Sequence, residues 1–337
     1  MQHCCGYENL PDILKTAVRK ANVFYTEAYA KNTIGRGQQI YYVWTDHRIQ
    51  EVRVKTKLGL RAAILESESF LYHGEEDERS FLNMLMQELG TLGVQWTLCA
   101  NTARFQAYPD GSYVAPCGNY MIDLTMPEEE LWRNVHSKHR NSIRRGEKSE
   151  LELKFGGAEL LKDYVPIEKE TYERSGNSGS GMEYYQGLMQ SMGSSAFIVM
   201  AYKEGEPQAG GMFYYNEAMG YYLHGASVGR PEPGSANYLL WRTILRLKEQ
   251  GTQSFSFVGY HYDPEPNSKL EGIQRFKERF GGYLEKSYNF RYEQNPLAYR
   301  LYCLAMRLQS GKPFQKYQDA IDKQLERYPE LNGGKRL

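Results

Sequence analysis

Long apolar runs are missing from this 337-residue chain. None approaches the roughly 18 consecutive apolar residues that a membrane-crossing helix needs, and a mean hydropathy of -0.65 argues the same way. Residues Met1 to Leu10 contain no apolar leader-like core, so a cytoplasmic location is expected. Cysteine is scarce too. Cys4, Cys5, Cys99, Cys117 and Cys303 form no C-x-x-C pair and have no histidine at zinc spacing, which argues against a disulfide framework and against a structural metal. Cys4 and Cys5, beside His3, read as part of a frayed terminus. Neither sign of charge is in excess, because 41 Lys+Arg offset 41 Asp+Glu. Any site for an anion or a nucleic acid therefore has to be local. A serine-nucleophile elbow, a phosphate-binding P-loop and a dinucleotide glycine fingerprint are also missing, so a covalent enzyme intermediate is not expected.

What is present suits a globular mixed α/β protein. Hydrophobic residues make up 41% and aromatics 13%, with 28 tyrosines, enough to fill cores. The length suits two domains. In the first half, helix is expected over 9–29 and 78–93, and strand over 50–56, 61–71, 94–99 and 119–124. Thr125 and Glu128 have capping-box spacing, which predicts one helix running from there to Gly146. On that helix Leu131, Trp132, Val135, His139 and Ile143 share an apolar arc, and His139 reads as a core histidine. Arg133, Arg140, Arg144 and Lys148 gather on the opposite side, as a solvated face or as a dock for phosphates.

The second half is a strand at 151–155, helices at 159–174 and 183–192, then a three-stranded meander at 196–203, 209–215 and 219–226. A helix at 236–250, a strand at 254–258, a helix at 269–280 and a strand at 284–292 follow. The 236–250 helix is apolar on two sides, which predicts a sheet on one and a neighbouring domain or ligand cleft on the other. Trp241 on the second side is a candidate lining residue. Ser268 and Glu271 form another capping box. On the helix that it opens, Lys277 sits at the edge of an apolar arc of Leu270, Ile273, Phe276 and Phe280. It reads as a partly desolvated cation that meets an anionic group, or as a lysine whose stem packs while its head reaches water. After the strand at 254–258, Gly259, Tyr260, His261, Tyr262 and Asp263 deliver aromatics, a histidine and a carboxylate to a strand end. Tyr260 and Asp263 are acceptor-binding candidates there, with loop packing as the alternative.

Three stretches carry a resemblance: Leu131-Trp132 with Lys138-His139-Arg140-Asn141-Ser142-Ile143-Arg144-Arg145, then Tyr222-Leu223-His224-Gly225-Ala226-Ser227, then Gly272-Ile273-Gln274-Arg275-Phe276-Lys277-Glu278-Arg279-Phe280-Gly281-Gly282. Across about 119–303 the chain resembles the Fem (FemABX) aminoacyltransferases of peptidoglycan bridges, within the wider GNAT-fold acyltransferases. The resemblance implies two GNAT-like domains with mixed central sheets, placed at 1–150, completed by 297–337, and at 151–296. It implies transfer of an amino acid from aminoacyl-tRNA to an amine of a nucleotide- or lipid-linked muropeptide precursor, with no metal or resident cofactor and with peripheral contact to a membrane left open. In that setting Lys277 would stabilise negative charge as the ester is attacked and Phe276 would shape the pocket. His224, beside Tyr222 at the cleft, would act as a base or hydrogen-bond the acceptor. The segment from Arg230 to Ala236 takes the place of the GNAT pyrophosphate loop, but Pro231 and Pro233 remove amide donors and Glu232 opposes phosphate. Acyl-coenzyme A is thus the second-ranked donor, with Arg230 as a phosphate-binding candidate. A non-catalytic paralogue that binds RNA or precursor is the reading from a different class.

Overall fold

The computed structural model describes residues 1–27, 29, 38–57, 59–100, 102–176, 178–259, 264, 266–309 and 317–327. Two compact units emerge: Met1–Val18, Ile34–Asn119 and Lys286–Leu337 form the first, and Arg19–Thr33 with Tyr120–Glu285 the second. The chain changes unit at 18/19, at 33/34 and inside two strands, Tyr113–Asp123 and Tyr283–Tyr292, and not near 150. A boundary inside a strand has no Gly/Pro-rich linker to announce it.

In the first unit β1 (Gln2–Cys5), β2 (Gln38–Trp44), β3 (Arg48–Lys57) and β4 (Leu60–Leu65) are antiparallel neighbours in that order, and β5 (Phe70–Leu71) pairs with β3. Next to β4 lies the parallel β6 (Trp96–Cys99). The terminus is not frayed, since Cys4 pairs with Tyr42 of β2; neither strand was expected, because a pairing across about forty residues leaves no local signal. The first helix, α1 (Asp12–Ala21), stops well short of 29, and Asn22 accepts a 3.0 Å bond from the Phe24 amide to start a short turn. Asp77 caps α2 (Glu78–Thr91) through the Ser80 amide. The 3.6-residue period then lays Phe81, Leu85 and Leu89 on Val52, Val54 and Phe105 in the core.

In the second unit the strand order is β7 (Tyr113–Asp123), β12 (Ser254–Ser256), β11 (Met219–Ser227), β10 (Glu206–Tyr215), β9 (Ala196–Lys203) and β8 (Glu152–Gly156). The β9–β10 hairpin turns on Glu204 and Gly205, both left-handed, as a two-residue primed turn requires. One face carries α5 (Leu161–Glu173) and α6 (Met182–Met192); the other carries α7 (Ser235–Glu249) with α3 (Glu128–Asn134), α4 (Ser137–Lys148) and α8 (Lys269–Glu278).

The single helix expected from Thr125 to Gly146 is two helices. Thr125 is drawn off its cap position because its amide and hydroxyl both bond the Asp123 carboxylate, at 2.9 and 2.6 Å. Val135 is extended, and the His136 ring accepts from the Lys138 amide to restart the helix as α4. Gly146 does not end α4 but sits inside it, where an added Cβ would lie 2.7 Å from Tyr238 Cβ and 2.9 Å from the Gly234 carbonyl oxygen. The second apolar side of α7 packs on α4 and leaves a groove that Tyr238, Trp241 and Leu245 line together with Trp132 and Arg144. Gly234 seals this junction with φ +96°, and a Cβ there would strike the Ser142 carbonyl. Gly234→Ala is expected to cost about 2 kcal/mol or more in urea unfolding. Gly251→Ala, at φ +86° but in open space, is expected to cost about half as much, so equal losses would refute the close-packing account.

Candidate functional site

In the second unit's sheet two neighbouring parallel strands part. β11 and β12 pair only from Met219↔Ser254 to Tyr221↔Ser256. β11 then continues to Ser227 against β10 alone, while the chain leaves β12 through Val258 (φ 43°) and Gly259 (φ 50°). A β-branched residue in the left-handed region is a strained position. Burial follows the geometry: Met219 to Tyr221 are buried and Tyr222 to Gly225 are half-buried. Open α/β sheets place ligands at such carboxyl ends.

Lys277 reaches this strand end from α8. Its ammonium donates to the carbonyl oxygens of Val258 and, at 2.8 Å, of Gly259. Burial lowers its pKa from 10.5 to about 8. An ammonium has three donors. Two go to the carbonyls that fix the strained turn, and the third has no partner among the described residues. Ile273, placed in the apolar arc by the sequence pattern, is instead 43% exposed.

Tyr222 faces the same side of the sheet. Its ring stacks on Phe213 at 5.2 Å and meets Phe257 edge-on at 6.3 Å, and Phe257 in turn packs on Phe280. The ring lies flat because the cross-strand pair beneath it is Gly211↔Gly225, and a Cβ on Gly225 would collide with the Tyr222 hydroxyl. Burial pushes that phenol up to about 12, so it stays neutral and able to donate.

His224 is not beside Tyr222 in the sense that strand alternation predicts. The register shifts between Met212 and Phe213, with Met212↔His224 and Phe213↔Tyr222, so Leu223 is a bulge residue. One extra residue sends Tyr222 and His224 to opposite faces. His224 meets Tyr185 edge-on at 5.6 Å, on the α5–α6 side. Burial lowers its pKa to about 4, so it is neutral at pH 7, and its Nδ1 has no hydrogen-bond partner among the described residues. Around Tyr185 the sequence reading missed a polar cluster. Glu168, fully buried, accepts a 2.6 Å bond from the Tyr185 hydroxyl while its second oxygen and the Tyr164 hydroxyl have no partner among the described residues. The only sequence signal was a glutamate one turn after a tyrosine on the buried side of a helix.

Comparison with known proteins settles the lineage of this arrangement. A model described as the FemAB family matches residues 63–206 and 202–307. The chain belongs to the FemAB family. Over 100 residues it is 31% identical to the lipid II:glycine glycyltransferase of Staphylococcus aureus, a stretch that is 29% of this chain and 24% of that relative. The match therefore spans about a quarter of the curated relative's length. The crystal structure of FemX superposes with a TM-score of 0.70 at 14% identity, covering 89% of this chain and 99% of the other. L-PGS from Bacillus licheniformis gives 0.57 at 14% identity over 91% of this chain and 98% of its own. A tandem GNAT protein from the clavulanic acid biosynthesis pathway gives 0.50 at 10% identity over 88% and 99%. These likenesses establish the fold as two GNAT-like domains of mixed α/β structure.

In this FemAB-family chain the remaining candidates fall into separate places. Phe276 is half-buried between His139 and Phe280, at 5.1 and 5.3 Å, and its carbonyl oxygen accepts from His139 Nε2 at 2.9 Å. His139, neutral because burial lowers it to about 4, is the core histidine the pattern predicted. Trp241 packs on Trp132 at 5.1 Å in a groove shared with Tyr238 and Arg144. The cationic stripe is broken. Arg140 turns back to donate to the Arg133 and Val135 carbonyls at 2.9 and 2.6 Å, closing the end of α3. Arg144 lies over the Trp132 ring, and Lys148 and Arg230 are exposed. Tyr260 and Asp263 lie outside the described residues. Among the described residues no His/Cys/Asp/Glu group is arranged to hold a metal, and no helix is long and apolar enough to cross a membrane.

Proposed function

We propose that this chain is an acyltransferase that moves an aminoacyl group from aminoacyl-tRNA to an amine of a lipid-linked peptidoglycan precursor. The observation that carries the reading is the Lys277 ammonium, anchored on the strained Val258–Gly259 turn at the mouth of the β11–β12 opening. Membership of the FemAB family, and a partial match to an enzyme named for glycyl transfer to lipid II, support the substrate class.

The chemistry needs little covalent help. An acceptor amine attacks the ester carbonyl, a C–N bond forms, the ester C–O bond breaks, and the proton lost by nitrogen ends on the departing ribose oxygen. The remaining Lys277 proton stabilises the oxyanion, and the neutral Tyr222 phenol supplies a second donor along the aromatic floor. Its bulge-imposed orientation takes His224 out of the role of base beside Tyr222, and no proton step is assigned to it.

The turn before α7 supports tRNA over coenzyme A as the donor. The Glu232 amide is spent on Gln208 at 2.9 Å, its carboxylate accepts from Ser149 at 3.0 Å, and Gly234 is pressed on α4. Few amides are left to wrap a pyrophosphate. Incubation with charged tRNA and lipid II is expected to give a product heavier by one aminoacyl residue in mass spectrometry, and acyl-coenzyme A none. Product from acyl-coenzyme A alone would reverse the donor assignment. Binding of tRNA or precursor without turnover across several amines would make the chain a binding paralogue.

A further inference from the structure

The first unit carries an apolar surface that the transfer site does not use. The helix α9 (Pro296–Gln309) has two opposed faces. Its inner face holds the buried Ala298 and Tyr299 together with Tyr302, and both tyrosines pack on Trp96 with ring separations of 5.5 and 4.7 Å. Its outer face holds Leu297, Leu301, Leu304 and Leu308, which are 70, 63, 50 and 64% exposed. At 100° per residue these four fall within an arc of roughly 60°. Isolated exposed leucines are ordinary, but four in one continuous stripe are not.

The charge around the stripe selects what covers it. Arg300 and Arg307 border it on one side, and within α9 (Pro296–Gln309) the sequence contains no acidic residue. A second copy of this helix would bring like charges together along the seam. An anionic bilayer takes the leucines into its acyl boundary and the cations at its headgroups. We propose that α9 is an in-plane docking helix that seats this protein on an anionic lipid surface. The inference is independent of the transfer reaction, although a surface-bound enzyme would meet a lipid-linked acceptor in two dimensions.

Vesicle flotation of the full chain tests it without any substrate. Wild-type protein is expected to rise with vesicles of phosphatidylglycerol and phosphatidylcholine, to stay behind with phosphatidylcholine alone, and to be released as salt increases. Leu301→Gln with Leu304→Gln is expected to weaken partitioning by about tenfold or more at an unchanged melting temperature, since both side chains already face solvent. Failure of the wild type to float on anionic vesicles overturns the proposal. So does equal flotation of the double variant. A concentration-dependent dimer that the double variant abolishes, with no flotation, would assign the stripe to a second copy instead. None of these outcomes bears on whether Lys277 takes part in transfer.

Discussion

Lys277→Met is expected to lower turnover on charged tRNA and a muropeptide amine by about 10²-fold or more while the melting temperature stays within a few degrees of wild type. The two halves of that expectation separate a functional lysine from a structural one. Burying an ammonium costs stability, and here two carbonyl bonds offset part of the cost. An apolar side chain of similar length removes both terms, so little net change in stability is expected. Turnover, by contrast, loses the ammonium bonded to the carbonyls at the strand end. A fall in stability that matches the fall in activity would mean that Lys277 only fastens the Val258–Gly259 turn.

The pH dependence follows with a definite sign. The folded pKa of about 8 lies below the ordinary 10.5, so the folded state is the one that holds this proton less tightly. The penalty for burying the charged form is fully present below about pH 8 and is relieved as pH rises toward 10.5. Any stability advantage of Lys277→Met is therefore largest at neutral pH and shrinks across that window. Activity moves the opposite way. The acceptor amine reacts faster as it loses its proton, but turnover falls once Lys277 does, which gives a profile with a descending limb near pH 8. In Lys277→Arg, whose charge persists, that limb is expected to move to higher pH whatever the absolute rate.

The sequence disclosed what depends on neighbours a few residues apart. The period of 236–250, the Ser268 cap that the structure confirms on the Glu271 amide, and the meander from 196 to 226 were all readable because helix and strand periodicities are local. Single-residue events escaped. The Leu223 bulge reverses the relation of Tyr222 to His224, and no pattern of apolar residues registers one inserted residue. The start of α3 depended on Asp123 competing for Thr125, a side-chain choice that capping-box spacing does not contain. Long-range events escaped as well. Arg140 looked solvent-facing on one long helix, and only the break at Val135 gives it carbonyls to bond. Residues 23 and 24 group with the second unit because they pack in the cluster that holds Tyr221, two hundred residues further on. Lys277 was legible as unusual from its helix face, but its carbonyl partners required the left-handed turn at Val258.

The largest effect on stability is expected at Arg291, which the sequence reading passed over. Its guanidinium, 3% exposed, bonds Asp319 at 2.8 Å, Asp322 at 2.7 Å and Glu293 at 2.9 Å. The rings of Tyr113 and Tyr299 lie 4.5 Å from its centre, and the Tyr299 hydroxyl donates to Asp319 at 2.7 Å. Burial alone works against the charge, but Asp319 and Asp322 outweigh it and raise the pKa, so the cation is permanent. Three carboxylates converge on one cation, which ties the strand Tyr283–Tyr292 to the start of α10 (Ala320–Arg327). Arg291→Met leaves those carboxylates buried with their common partner gone, a loss of about 3–5 kcal/mol. That corresponds to roughly 10 °C in melting temperature and should bring earlier proteolysis around residues 317–327. Adding Asp319→Asn and Asp322→Asn removes two of the three stranded charges, so the triple variant is expected to recover part of the loss. If the triple variant is instead less stable than Arg291→Met by the sum of the separate effects, the four groups do not act as one cluster, and the tie to α10 rests on apolar contacts such as Ile321 and Leu325 with Ala115.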